Sequence, residues 1–182
     1  MRFEHWGSTA AERASEVPGD DLIVAPQMNA TRCISVADPP DVVFEWLAQM
    51  GTGRAGWYSY DLIDNFARPS ASRLYPEWAV RNEGESIPAG PISFSAAVVE
   101  RPHRFVMSLL GVGAPGHTID FTLGYRLDPL PNGTRIVSRA RARVDGPLGL
   151  PAALALRLGD TVMVRRQLIG LARRCGGVVE SA

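Results

Sequence analysis

Hydrophobic and polar positions alternate most cleanly over residues 119–127. Ile119, Phe121, Leu123, Tyr125 and Leu127 fall on one side, and Asp120, Thr122, Gly124 and Arg126 on the other. A period of two predicts a half-buried strand, because successive side chains point to opposite faces. The alternation returns over residues 135–144. Arg135, Val137, Arg139, Arg141 and Arg143 share one face; Ile136, Ser138, Ala140, Ala142 and Val144 share the other. Between the two runs, residues 128–133 end in Asn-Gly and read as a hairpin connection. Residues 92–101 and 104–110 read as two more strands around a Pro102-His103 turn. Residues 111–116 read as a flexible glycine-rich loop, and 30–37 as an opening strand.

Helical spacing appears elsewhere. Val43, Trp46, Leu47 and Met50 fall at i, i+3, i+4 and i+7, which predicts one buried helical face. Asp38 is placed to cap that helix, Pro39 suits its first position, and Gly51 ends it. Thr9 and Glu12 have capping-box spacing, predicting a short helix over 9–15. Residues 61–66 fit another short helix, and 84–90 a turn-rich connection. A long helix over 151–175 closes the chain. Leu154, Leu158, Val162, Leu168 and Ala172 are its expected apolar stripe, with Arg173, Arg174 and Gly176 at its end. The organisation is one domain: an arm over 1–28, a core over 29–175 and a tail over 176–182.

A chain of 182 residues can bury a core and an internal cavity. Nineteen basic residues, all arginine, balance nineteen acidic ones. No net field therefore draws it to nucleic acid or an anionic membrane. Cys33 and Cys175 are too few for a disulfide framework or a cysteine metal site. Residues 1–6 lack the apolar region of a signal peptide. The longest apolar run, 148–156, is far short of the ~20 residues that span a bilayer. These features predict a soluble, cytoplasmic protein.

The order of elements is strand, helix, irregular segment, antiparallel meander, long C-terminal helix. It resembles the helix-grip fold of the START-like superfamily, which includes polyketide cyclases, pollen-allergen-like proteins and lipid-transfer domains. Residues 31–51, from Thr31-Arg-Cys-Ile to Gln49-Met-Gly51, resemble that family's opening strand and helix. Gly53-Arg-Ala-Gly-Trp-Tyr-Ser-Tyr-Asp61 and Tyr75-Pro-Glu-Trp78 are similar to a bacterial branch of it. Asn132-Gly-Thr-Arg-Ile-Val-Ser-Arg139 resembles its penultimate hairpin, and residues 160–174 its final helix. The likeness covers nearly the whole chain. It implies an α+β fold in which an antiparallel sheet wraps a long C-terminal helix around a cavity.

Candidate chemistry is sparse. Gly51, Gly53 and Gly56 match the dinucleotide fingerprint G-x-G-x-x-G formally. That motif needs a strand before it and a helix after it, and here a helix precedes it. His5, His103 and His117 lack paired spacing for a metal. The arginine face of 135–143 fits the solvent side of a curved sheet, with Asp120 and Glu100 as partners. An anion-binding stripe is the alternative. Trp57, Tyr58 and Tyr60 are expected as core anchors with at least one ring on the cavity. Arg54 and Asp61 flank them and could pair as a clamp or serve as a polar handle. Phe94, Met107, Phe121, Leu123, Tyr125 and Met163 complete the expected wall. His117 is the best acid–base candidate, expected at a cavity mouth, with a plain surface histidine as the alternative. The leading expectation is binding of a small hydrophobic molecule such as a lipid or polyketide, without a cofactor. The alternatives are a polyketide cyclase or dehydratase using His117, Tyr125 and Asp61, and a protein-interaction module.

Overall fold

The computed structural model describes residues 4–114, 116–146 and 149–179, with the side chains of 150–153 and 155 left out. Six strands make one antiparallel sheet. They are β1 (Met28–Val36), β2 (Ser86–Ala89), β3 (Ile92–Glu100), β4 (Arg104–Ala114), β5 (His117–Leu130) and β6 (Gly133–Val144), in the order β1-β6-β5-β4-β3-β2. On the inner face Phe121 lies opposite Ala142, Leu123 opposite Ala140 and Tyr125 opposite Ser138. Large side chains on β5 thus meet small ones on β6, which leaves room above the sheet. Two segments differ from the sequence reading. Residues 86–89 form an edge strand, because Ile87 pairs with Phe94 and is fully buried. Residues 111–114 extend β4, paired up to Ala114–His117, where an open glycine-rich loop was expected.

Two helices pack on the inner face. The first long one, α2 (Pro40–Ala48), buries Val43, Phe44, Trp46 and Leu47, and Met50 follows buried. Its cap is Pro39 in extended backbone with no side-chain bond. Asp38 does not cap it; its carbonyl instead accepts from the Thr134 hydroxyl at 2.8 Å. A single turn, α3 (Asp61–Asp64), follows the aromatic segment. The last helix, α4 (Gly149–Arg174), lies against β1 and β6.

The apolar stripe expected on α4 is only half right. Leu168 and Ala172 are buried, but Leu154, Leu158 and Val162 are each at least half exposed. The buried row is Asp160, Val164, Gln167, Leu168, Leu171 and, just beyond, Cys175. A charged pair sets that rotation: Arg32 on the inner face of β1 meets Asp160 at 2.7 Å, both side chains almost fully buried. Close contact holds the helix to the aromatic segment. A Cβ on Gly170 would stand 2.0 Å from the Tyr58 carbonyl oxygen, so only glycine admits this approach.

The arm covers the outer face. Its helix α1 (Ala10–Ala14) has the capping box between Thr9 and Glu12. Arg135 binds Glu12 at 2.7 Å, and Arg139 and Arg141 bind Asp20 at 2.5 and 3.1 Å. Arg139 also donates to the carbonyls of Glu12, Arg13 and Ser15. The arginine face therefore points away from the cavity, but a buried Arg139 replaces the expected solvent face. Asp120 does meet Arg143, at 3.6 Å, whereas Glu100 pairs with Arg104. Val17, Cys33 and Val137 pack together between arm and sheet.

Candidate functional site

A cavity of about 380 Å³ opens between α4, the inner faces of β3 and β5, and residues 57–64. Each wall has a local cause. The alternation of β5 turns Phe121 and Leu123 inward, and β3 contributes Phe94. The Phe94 ring meets Phe121 at 5.9 Å and Trp57 at 5.9 Å, the latter edge-on. Trp57 is fixed by its indole N–H, which donates to the Thr52 hydroxyl at 3.0 Å. From above, α4 supplies Leu156, Gly159 and Met163. The Ser59 hydroxyl donates to the Met163 carbonyl at 3.1 Å and ties the aromatic segment to the helix.

Polar groups on this wall are few, and most are engaged. Asp160 is held by Arg32. Burial pushes its pKa up, against the pull of that guanidinium. Gln167 accepts from the Tyr125 hydroxyl at 2.5 Å and donates to the Met50 sulfur at 3.5 Å. Asp64 differs. Both of its carboxylate oxygens are buried and neither has a hydrogen-bond partner. Burial raises its pKa to about 6, and the neighbouring Asp61 adds to the rise. Its contacts with Ser59 and the Tyr60 backbone fall short of hydrogen-bond geometry and only temper the rise. A carboxylate in an apolar wall, titrating near neutrality, has the attributes of a functional group.

The structure brings together only some of the residues expected here. Trp57, Phe94, Phe121, Leu123 and Met163 line the cavity. Tyr125 stands one layer deeper, fully buried, and acts through Gln167. Met107 is buried in the core. Tyr58 is buried too; its hydroxyl donates to the Trp46 carbonyl and its ring lies under Arg174. Tyr60 faces a different groove on the outer side of α4. Arg54 and Asp61 do not pair. Arg54 donates to the carbonyls of Met50 and Trp78, and burial lowers its pKa. Asp61 accepts from the backbone N–H and hydroxyl of Ser70. His117 is exposed where β4 turns into β5, off the cavity wall, because the hairpin carries it outward. The glycine turn closes on itself: Gly51 and Gly56 exchange both backbone hydrogen bonds, and the amides of Thr52, Gly53 and Arg54 are already donated to Pro88, Asn65 and Gly51.

Asp64, Asp160, Gln167 and Arg32 are the polar residues that sequence reasoning missed. Arg32 and Asp160 carried one available signal: each is a charge within an otherwise inward-facing row.

The groove beside Tyr60 is larger, about 610 Å³. Its cations are already occupied. Arg157 pairs with Glu4, Arg165 lies over Trp6 and Arg166 over Tyr60. The smaller cavity is the better ligand site, since it is apolar, lies between sheet and helix, and holds an unpartnered carboxylate.

A curved antiparallel sheet gripping a C-terminal helix around a cavity is the helix-grip fold, the fold of START-like, polyketide-cyclase-like proteins. Solved structures with a similar fold include a protein from Nitrosomonas europaea, at 17% identity and TM-score 0.53, covering 84% of this chain and 96% of that one. A protein from Mesorhizobium loti has 14% identity and TM-score 0.49, covering 81% and 96%. A polyketide-cyclase-like protein from Corynebacterium glutamicum has 15% identity and TM-score 0.45, covering 80% and 89%. At such identities the likeness is one of fold. No protein-family model and no curated protein sequence matches the chain.

Proposed function

We propose that this protein binds a small, mostly hydrophobic molecule in the cavity between β3, β5 and α4. The observation that carries the reading is the wall itself: Trp57, Phe94, Phe121, Leu123 and Met163 surround about 380 Å³ of space. That volume lies in the lower part of the ~300–1,000 Å³ range of small-molecule sites, so the ligand is compact.

Gly159 offers the test. It lines the cavity, and a Cβ built on it meets nothing within 4 Å. Gly159→Phe should therefore plug the space without disturbing the core. A panel of fluorescent fatty-acid and polyaromatic probes should bind the parent chain and lose about tenfold or more affinity for the variant. Equal binding by both would place the probes elsewhere and end this reading.

Proton-transfer chemistry on a polyketide-like substrate is the second reading. One observation favours it, the unpartnered Asp64 with its pKa of about 6. The acid or base would then be Asp64, in place of His117, Tyr125 and Asp61. Turnover of such a substrate, slowed about a hundredfold or more in Asp64→Asn, would establish it.

A further inference from the structure

We infer that the ligand is an amphiphile whose polar end is a hydrogen-bond donor, above all a protonated amine, seated against Asp64. Its apolar body lies between Phe94, Phe121 and Met163. The inference rests on the cavity being a ligand site and adds the chemistry of the ligand's polar end.

The polar groups around the cavity define that end. Gln167 uses its oxygen on Tyr125 and its nitrogen on Met50, and the Ser59 hydroxyl is bound to the Met163 carbonyl. Asp160 is neutralised by Arg32. Asp64 and Asp160 both present buried carboxylate oxygens without a hydrogen-bond partner, but Asp160 has the Arg32 guanidinium against it, and among the described residues Asp64 has no such counter-ion. A buried acceptor left without a partner is costly, so a molecule that brings a donor gains more there than one that does not.

The surrounding charges select the sign. On its own turn Asp64 has Asp61, whose oxygens are taken by Ser70. From α4 it faces the Asp160–Arg32 pair, which has no net charge. The walls from β2, β3 and β5 are Ala89, Ile92, Phe94, Phe121 and Leu123, all uncharged. Arg166 is stacked on Tyr60, which lines the outer groove. The polar end of the cavity is therefore negative whenever Asp64 is ionised. It attracts a cationic donor, accepts a neutral hydroxyl and repels a carboxylate.

Three probes sharing one decyl chain separate the possibilities: decylamine, decanol and decanoate. Each is titrated against the full chain by displacement of a bound fluorescent hydrophobe, at neutral pH and at about pH 5, below the raised pKa of Asp64. At neutral pH the amine should bind tighter than decanoate by about tenfold or more. The preference should shrink at the lower pH, as Asp64 gains its proton. Asp64→Asn should abolish the preference, bringing decylamine and decanoate within about threefold of each other. The pH comparison needs no variant, and Asp64→Ser supplies a second one if the first is poorly folded. Decanoate binding as tightly as the amine at neutral pH would overturn the inference and leave the cavity as a ligand site. So would an amine preference that survives in Asp64→Asn. Failure of all three probes to bind would instead remove the ligand site, and the inference with it.

Discussion

The hydroxyl of Tyr125 donates to Oε1 of Gln167 at 2.5 Å, joining the inner face of β5 to the buried face of α4. The bond lies just below the cavity, since Gln167 lines it and Tyr125 does not. Burial holds the Tyr125 hydroxyl far above the usual phenol pKa, so it stays a donor at every physiological pH. Removing it leaves a buried amide oxygen unsatisfied. Tyr125→Phe should therefore cost about 1–2 kcal/mol of stability. Chemical denaturation should show a lower midpoint with an unchanged slope, because the packed ring remains.

The Arg32–Asp160 pair should behave differently. Both side chains are nearly inaccessible and the contact is 2.7 Å. Two desolvated charges contribute little net stability together, but one alone is strongly unfavourable. Asp160→Asn should cost about 3–5 kcal/mol. A double replacement, Arg32→Met with Asp160→Leu, should recover most of that loss. Urea unfolding of the two variants checks this. A double variant as unstable as the single one would show that the charges themselves are required.

Much of this fold is written in local patterns, and most of the site is not. The alternation of Phe121, Leu123 and Tyr125 sets the inner face of β5 wherever the strand sits, and so it could be read directly. The strand β2 could not, because Gly84, Pro88 and Gly90 favour a turn and only pairing of Ile87 with Phe94 overrides them. Leu154, Leu158 and Val162 looked like a core stripe because spacing alone does not say which helical face meets the sheet. The Arg32–Asp160 contact decides that across the fold. Asp64 was invisible for a related reason. Its unusual environment exists only once Ser59, beside it, is tied to Met163, 104 residues away. Arg54 and Asp61 were legible as polar residues near the aromatics. Their backbone partners, unlike side-chain partners, leave no mark in a sequence.

The arm should loosen with acid. Glu12 binds Arg135 through both oxygens and accepts from the Thr9 backbone N–H. Burial works against its ionisation, but these bonds prevail and hold its pKa at about 2. A carboxyl with a lowered folded pKa stabilises fully above its ordinary value of 4.5. That contribution is lost as pH falls toward 2. Protection of the α1 amide hydrogens, measured against their intrinsic exchange rate at each pH, should thus fall across that window. Glu12→Gln should show the lower protection already at neutral pH, with little further change on acidification.

Asp64 should show the opposite dependence. Its pKa rises from 3.8 to about 6, so the folded chain binds the proton more tightly than the unfolded one. Its neutral form fits the apolar wall, and stability is greatest below the ordinary pKa. As pH climbs through about 6 the carboxyl ionises without a partner and stability falls. Asp64→Asn removes that ionisation. The variant should be more stable than the parent by about 1–2 kcal/mol at neutral pH, allowing for partial screening of a half-buried group. The gain should vanish at about pH 4, where both side chains are largely uncharged. Melting temperatures of parent and variant across that range provide the measurement. A constant difference at every pH would mean that the substitution acts through packing. A gain confined to neutral pH would show that the folded chain tolerates an unpartnered carboxylate at a cost in stability. Such a cost is expected of a group kept for what it binds.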